Sequence, residues 1–110
     1  MNIDDRVRVC MLLDFYGSLL TERQLVIAKR YFEDDASLAE IANELGISRQ
    51  GVLDALKTSR ESLEVFEQKL SLVERHAELK SRLLDIISDV ELAGSNADIL
   101  QKLRDLIQYL

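Results

Sequence analysis

The chain of 110 residues contains no proline, no tryptophan and only one cysteine. A single cysteine excludes a disulfide framework and a cysteine-rich zinc site, and it suits a reducing compartment. Aromatic residues make up 5% of the chain, yet 47% is hydrophobic, enough for a folded core. No apolar run approaches the roughly 20 residues of a membrane span, and no signal-peptide segment begins the chain. We therefore expect a cytoplasmic protein without membrane insertion, built as one domain or as a small domain plus an appendage.

Basic residues are also in short supply, because 14 Lys and Arg oppose 20 Asp and Glu to give a formal net charge of −6. This balance argues weakly against a dedicated nucleic-acid binder, since phosphates attract basic surfaces. Residues 37–60 are neutral, however, and the excess lies chiefly in residues 61–110, which carry six basic and ten acidic side chains. The charge pattern predicts at most weak, salt-sensitive binding by a monomer.

Helix-forming residues dominate and no β-branched runs bounded by turn residues occur, which predicts an all-α fold. The first helix is expected from Asp4 to about Tyr16, ending at Gly17. Capping boxes predict further helix starts at Thr21 and Ser37, and residues 94–96 separate off a last amphipathic helix. The face of the first helix predicted to enter the core consists of Val7, Cys10, Met11 and Phe15.

The stretch from Ser48 to Ala93 is either one very long helix or two helices with an inconspicuous joint. A heptad stripe runs from Leu63 to Ala77 and then moves to another face, which favours a joint near residues 71–74. We expect a helix-turn-helix domain over residues 1–70, followed by C-terminal helices over residues 71–110. These last helices either pack on the domain or form a homodimer interface, which would join two weak binding units.

The stretch from Ser37 to Lys57 predicts a helix-turn-helix. It holds a capped short helix, a turn at Gly46, whose missing side chain permits a positive φ, and a second helix starting at the Ser48 cap. Ala42 is small where the two helices cross. The apolar faces expected to lock the pair are formed by Ile41, Leu45, Ile47, Val52, Ala55 and Leu56.

Packing that apolar face inward turns a polar face of the second helix outward, where Arg49 could pair with guanine and Gln50 with adenine. Basic and hydroxyl groups one or two turns later would meet phosphates. Leu53 and Asp54 on the same face count against duplex reading, and the alternative is a merely polar start to a surface helix. The predicted nucleic-acid-binding residues are Ser48, Arg49, Gln50, Leu53, Lys57, Thr58 and Arg60.

The remaining side chains that could take part in catalysis or bind a metal show no pattern typical of an enzyme. His76, the only histidine, lies in a charged stretch and is expected to be solvated. Cys10 is expected to be a buried free thiol, and the acidic residues at 33–35 to form a solvated turn. We find no phosphate-binding glycine loop, catalytic triad or metal-ligand spacing. The sequence therefore predicts neither an enzyme nor a cofactor or metal site.

Several motifs together resemble known families. They are the pair Phe15-Tyr16, LT-x-x-Q at 20–24, the pair Tyr31-Phe32, DD-x-SL-x-EIA at 34–42 and SRQ-x-V at 48–52. The chain resembles region 4 of bacterial sigma factors and, more closely over residues 1–70, the YlxM-like family of small bacterial proteins. In that family a tyrosine and an asparagine usually stand at positions 53 and 55, where this chain has Leu53 and Ala55.

This resemblance implies a sigma region 4-like helix-turn-helix domain of three or four helices followed by C-terminal helices. It implies a cytoplasmic accessory or regulator of the signal recognition particle pathway. The candidate partners are DNA, or the protein or RNA of that particle. The alternative is a protein- or RNA-binding adapter, or an oligomeric scaffold, that does not read duplex DNA. Asp54 matches the family pattern, and an acid on the outward face suits a protein or structured RNA as well as duplex DNA.

Overall fold

The computed structural model describes residues 3–94 and 97–110, and in these the chain forms six α-helices and no strand. The all-α prediction is therefore confirmed. A short 3-10 turn, Gly17–Leu19, follows the first helix. The helices are α1 (Ile3–Tyr16), α2 (Glu22–Phe32), α3 (Leu38–Leu45), α4 (Arg49–Leu70), α5 (Leu72–Leu92) and α6 (Ala97–Gln108).

Both predicted capping boxes are present. The Thr21 hydroxyl accepts a hydrogen bond from the Gln24 amide at 3.2 Å, and the Gln24 side chain accepts one from the Thr21 amide at 3.1 Å. At the start of α3, Ser37 and Glu40 make the same reciprocal pair. These bonds satisfy amide groups that the first turn of a helix leaves without partners. The starts of α2 and α3 thus follow directly from four consecutive residues each.

The helices up to Ser71 form one compact unit, organised around the 22-residue α4, which packs against α1, α2 and α3. Burying one side of each helix supplies the main driving force for this arrangement. Arg6 ties α1 to the last turn of α2, because its Nε donates to the Phe32 carbonyl at 2.8 Å. The core side chains of this unit include Val9, Leu12, Leu13, Tyr16, Ile27, Ala28, Phe32, Ile41, Ala42, Val52, Leu56 and Leu63.

The predicted core face of α1 is wrong. The helix buries Val9, Leu12, Leu13 and Tyr16, whereas Val7 is 52% exposed. Met11 is also exposed, and Cys10 and Phe15 are half-buried. Apolar residues occur nearly all around this helix, so periodicity alone allows more than one rotation. Contacts from distant parts of the chain select the rotation seen in the fold.

The predicted joint in the long helical stretch is confirmed, since α4 ends at Leu70 and Ser71 adopts a left-handed conformation with φ 54°. Residues Leu72–Leu110 form a second compact unit, the C-terminal hairpin, in which α5 packs against α6. Gly94 has φ 67° in the predicted break, while Ser95 and Asn96 lie outside the described residues. Within the described part of the hairpin only Val73 and Ile87 are buried.

The burial of Cys10 and His76 differs from the prediction that Cys10 is buried and His76 is solvated. Cys10 is a half-buried free thiol, and its Sγ donates to the Phe32 carbonyl at 3.5 Å. Burial raises the pKa of the Cys10 thiol, which keeps it protonated and poorly nucleophilic near neutral pH. His76 is half-buried instead of solvated as predicted.

Candidate nucleic-acid interface

A tight turn between α3 and α4 sets the start of the second helix of the motif. Gly46 ends α3 in the left-handed region with φ 67°, and the Ile47 amide donates back to the Ala42 carbonyl at 3.1 Å. Ser48 then caps α4, its hydroxyl accepting from the Gly51 amide at 2.9 Å. The helix-turn-helix predicted from these residues is confirmed, and it places Arg49 in the first turn of α4.

The inward and outward faces of α4 also follow the prediction in its first three turns. Val52 is fully buried and Leu56 is 6% exposed, while Ala55 is half-buried. Leu45, expected to lock the motif, is instead 36% exposed at the last residue of α3. The exposed predicted site residues are Ser48, Arg49, Gln50, Leu53, Lys57 and Thr58.

Two cations on this exposed face, Arg49 and Lys57, stand out within the described part of the chain. Among residues 3–94 and 97–110, neither Arg49 nor Lys57 has an acidic partner within salt-bridge distance. The acids of α3 are held elsewhere: Glu40 completes the cap at Ser37, and Glu44 binds Arg30 of α2 at 2.5 Å. The paired guanidinium lowers the pKa of the Glu44 carboxyl, so this acid stays ionised and bound to Arg30.

Gln50 is partly committed within α4. Its Nε2 donates to the Asp54 carboxylate at 2.9 Å, one helical turn later. The amide keeps its oxygen and a second N–H, which are the groups that bind an adenine edge. Gly51 lies beside the cap: a Cβ there would stand 3.2 Å from the Ser48 hydroxyl. A glycine at this position therefore leaves room for the cap that begins the helix.

Among the residues described, Arg60, unlike Arg49 and Lys57, is held in an ion pair. Its guanidinium binds Asp5 of α1 at 2.6 Å and stands 5.9 Å from the centre of the Phe32 ring. A cation over an aromatic face contributes favourably to packing. Any phosphate contact by Arg60 thus has to compete with Asp5, a cost that the sequence pattern does not reveal.

A pocket beside this face was missed by sequence reasoning. It has a volume of about 440 Å³ and opens between the end of α2 and the middle of α4. Two features of the sequence could have indicated this pocket. They are the aromatic pair Tyr31-Phe32 at the end of α2 and the apolar Leu53 on the otherwise polar face of α4. The pocket is lined by Tyr31, Phe32, Leu53, Leu56, Lys57 and Arg60, among others.

The described residues offer neither a metal-binding cluster nor a membrane-spanning helix. No group of three or more histidine, cysteine, aspartate or glutamate side chains in residues 3–94 and 97–110 is placed to hold a metal ion. Over the same ranges, no helix combines the length and apolar character that crossing a membrane requires.

Comparison with known proteins gives consistent matches over nearly the whole chain. Residues 3–106 match the family model UPF0122, which describes helix-turn-helix proteins, YlxM / p13 like. A UPF0122 protein of Thermoanaerobacter sp. (strain X514) is 48% identical over 89 residues, or 81% of this chain and 76% of that protein. A UPF0122 protein of Acetivibrio thermocellus is 40% identical over 114 residues, covering 98% of this chain and 97% of that protein.

Proposed function

The chain belongs to the UPF0122 family of helix-turn-helix proteins, YlxM / p13 like, and from this premise we propose that it binds nucleic acid through the N-terminal half of α4. The observation that carries the proposal is the pair of exposed cations, Arg49 and Lys57, which have no ion-pair partner among the described residues. Unpaired Arg and Lys side chains on the second helix of a helix-turn-helix can bind the phosphate backbone and the edge of a guanine. We further propose that the protein acts in the cytoplasm as a regulator.

In this proposal α4 enters the major groove with its capped end first. Arg49 reads a guanine and Gln50 an adenine, while Ser48 helps to hold the first turn in register. Lys57 and Thr58 contact the backbone, and Arg60 adds a contact when a phosphate displaces Asp5. Because only a few phosphates are neutralised, binding is weak and falls steeply with added salt.

Replacing Arg49 with alanine is expected to weaken binding to a preferred duplex by about 5- to 150-fold, the loss of one bidentate base contact. Replacing Lys57 with alanine is expected to weaken all duplexes similarly and to reduce the salt slope by about one unit. Fluorescence anisotropy with labelled duplexes at several salt concentrations measures both effects. The duplexes come from selection out of a random pool at low salt.

Lys69→Ala provides the matched control, since Lys69 is exposed at the opposite end of α4. It removes the same charge from the same helix and should leave the preference among duplexes unchanged. Absence of any sequence preference at low salt contradicts the reading of bases by Arg49.

A second function is favoured by a different observation. Leu53 is 40% exposed and lies on the same outward face as the acidic Asp54, a combination that suits a protein or structured RNA better than a duplex. With the likeness of the motifs to the YlxM-like family, this supports an accessory role in the signal recognition particle pathway. Purified particle protein and particle RNA are titrated separately against the labelled chain. Failure of both to bind excludes this role.

We also propose that the C-terminal hairpin joins two copies of the chain. Apolar side chains stand exposed along it, including Leu79, Leu84, Ile86, Leu92, Ile99 and Leu106, and a pair of helices this small buries little surface by itself. A second copy would cover these side chains in a symmetric bundle. Two weak nucleic-acid sites would then act together through their effective concentration.

Sedimentation equilibrium at micromolar concentration should therefore find twice the chain mass of 12.6 kDa. Leu106→Glu, at a position 51% exposed on α6, should shift the protein to monomer. Gln108→Glu adds the same charge at an exposed polar position of the same helix and should leave the mass unchanged. A monomer mass for the unaltered chain contradicts the dimer.

A further inference from the structure

The pocket between α2 and α4 has the features of a preformed apolar binding site. Its volume of about 440 Å³ lies within the range of roughly 300–1,000 Å³ usual for ligand sites. Phe32 at its base is 2% exposed, while Leu53 at its edge is 40% exposed. An apolar side chain that entered the pocket would cover Leu53 and leave the buried core beneath it undisturbed.

The residues that line this pocket are held in place by contacts with other residues of the chain. Tyr31 meets Phe32 edge to face, with ring centres 5.0 Å apart. Arg60 stands over the Phe32 ring and is anchored by Asp5 at 2.6 Å. A site whose walls are already ordered loses little conformational entropy on binding.

The shape and lining of the pocket favour an aliphatic side chain over a nucleobase. A base needs an open, flat aromatic face on which to stack, whereas the Phe32 ring is buried and covered by Arg60. The Tyr31 ring is turned edge to face against Phe32, and the aliphatic part of the lining comes from the branched side chains of Leu53 and Leu56. Such a surface complements leucine, isoleucine or methionine.

The charged residues around the rim of the pocket indicate which kind of residue would lie next to the bound aliphatic side chain in the partner. Lys57 is exposed and has no ion-pair partner among the described residues, whereas the charge of Arg60 is already paired with Asp5. Glu61 follows one turn after Lys57 on the rim. Asp54, one turn before Lys57, has its carboxylate bound by Gln50, so the attractive position for an acid is at Lys57 itself. A carboxylate next to the bound apolar side chain would pair with Lys57 and gain electrostatic complementarity.

We propose that this pocket binds an acidic segment of a partner protein, which inserts an aliphatic side chain between α2 and α4 and pairs a neighbouring carboxylate with Lys57. The inference goes beyond the proposed nucleic-acid function and does not depend on it. Leu53 and Lys57 belong to both surfaces, however. The partner segment and a duplex therefore compete for α4, which gives the partner a direct means of releasing nucleic acid.

The test uses the full chain labelled with nitrogen-15 and a capped peptide that repeats the unit Glu-Glu-Leu-Leu-Glu. Saturable shifts are expected at the amides of Tyr31, Leu53 and Lys57, with a dissociation constant on the order of 0.1–1 mM. A peptide with serine in place of leucine, and one with lysine in place of glutamate, should each bind at least about tenfold more weakly. Equal binding of the lysine peptide, or shifts confined to other surfaces, overturns the proposal.

Two matched variants of α4 distinguish binding in the pocket from non-specific binding to exposed apolar side chains. Leu53→Ser should weaken the glutamate peptide about tenfold, the expected loss of a buried aliphatic contact. Val65→Ser removes a similarly exposed aliphatic side chain, 43% against 40% for Leu53, from the same helix outside the pocket, and should have no effect. An equal loss in both variants contradicts the assignment.

Competition distinguishes this proposal from the nucleic-acid function. The peptide titration contains no nucleic acid, so a chain that binds the peptide and ignores every duplex contradicts the duplex-reading function alone. If a duplex does bind, added peptide should displace it in the anisotropy assay. Simultaneous binding of peptide and duplex contradicts the shared use of Leu53 and Lys57.

Discussion

Ile41→Ala is expected to lower the free energy of unfolding by about 2–5 kcal/mol, the usual cost of removing a fully buried aliphatic side chain. Ile41 has no exposed surface and belongs to α3, which packs against both α2 and α4. Truncation leaves a cavity where these helices meet, and small domains have only about 5–15 kcal/mol in total. Urea unfolding followed by far-UV circular dichroism measures the change.

Leu45→Ala is the matched control for this prediction. It lies on the same helix and carries a similar volume, but 36% of Leu45 is exposed. Its truncation should cost less than about 1 kcal/mol, since neither a cavity nor a large loss of burial results. Equal losses in the two variants would contradict the assignment of Ile41 to the core and of Leu45 to its margin.

Tyr16→Phe is expected to lower the free energy of unfolding by about 1–3 kcal/mol, the cost of removing one partner of a buried hydrogen bond. The fully buried Tyr16 hydroxyl donates to a Glu67 carboxylate oxygen at 2.5 Å, and Glu67 is itself only 8% exposed. The substitution changes almost no volume, so the loss reports the polar contact between α1 and α4. The same urea experiment applies.

Tyr109→Phe removes the same hydroxyl from a side chain that is 91% exposed and should leave stability unchanged. A double-mutant cycle combining Tyr16→Phe with Glu67→Gln measures the coupling energy between the two groups, because the free-energy changes of substitutions at interacting residues are not additive. Unchanged stability of Tyr16→Phe would contradict a stabilising role for this hydrogen bond.

Helix starts and stops were predictable because each depends on a few consecutive residues. Thr21, Ser37 and Ser48 cap helices through bonds that reach no more than three residues along the chain. Gly46 ends α3 because its missing side chain tolerates the left-handed conformation. The helix-turn-helix and the outward position of Arg49 follow from these local features together with the spacing of apolar residues.

Rotations, pairings and cavities were not predictable, because they depend on residues far apart in the sequence. The buried face of α1 lies against α2 and α4, and Arg6 binds the Phe32 carbonyl 26 positions away. The pairing of Arg60 with Asp5 joins residues 55 positions apart. The pocket likewise requires α2 and α4 to meet at one place.

Local chemistry therefore determined where this chain forms helices and which residues begin the second helix of the motif. The packing of those helices decided which cations of the predicted site are free and which are bound. Arg49 and Lys57 stay exposed, whereas Arg60 is drawn into a contact with α1. The physical reason is that a cap is formed between neighbours in sequence, while an ion pair or a cavity forms only where the whole fold brings distant side chains together.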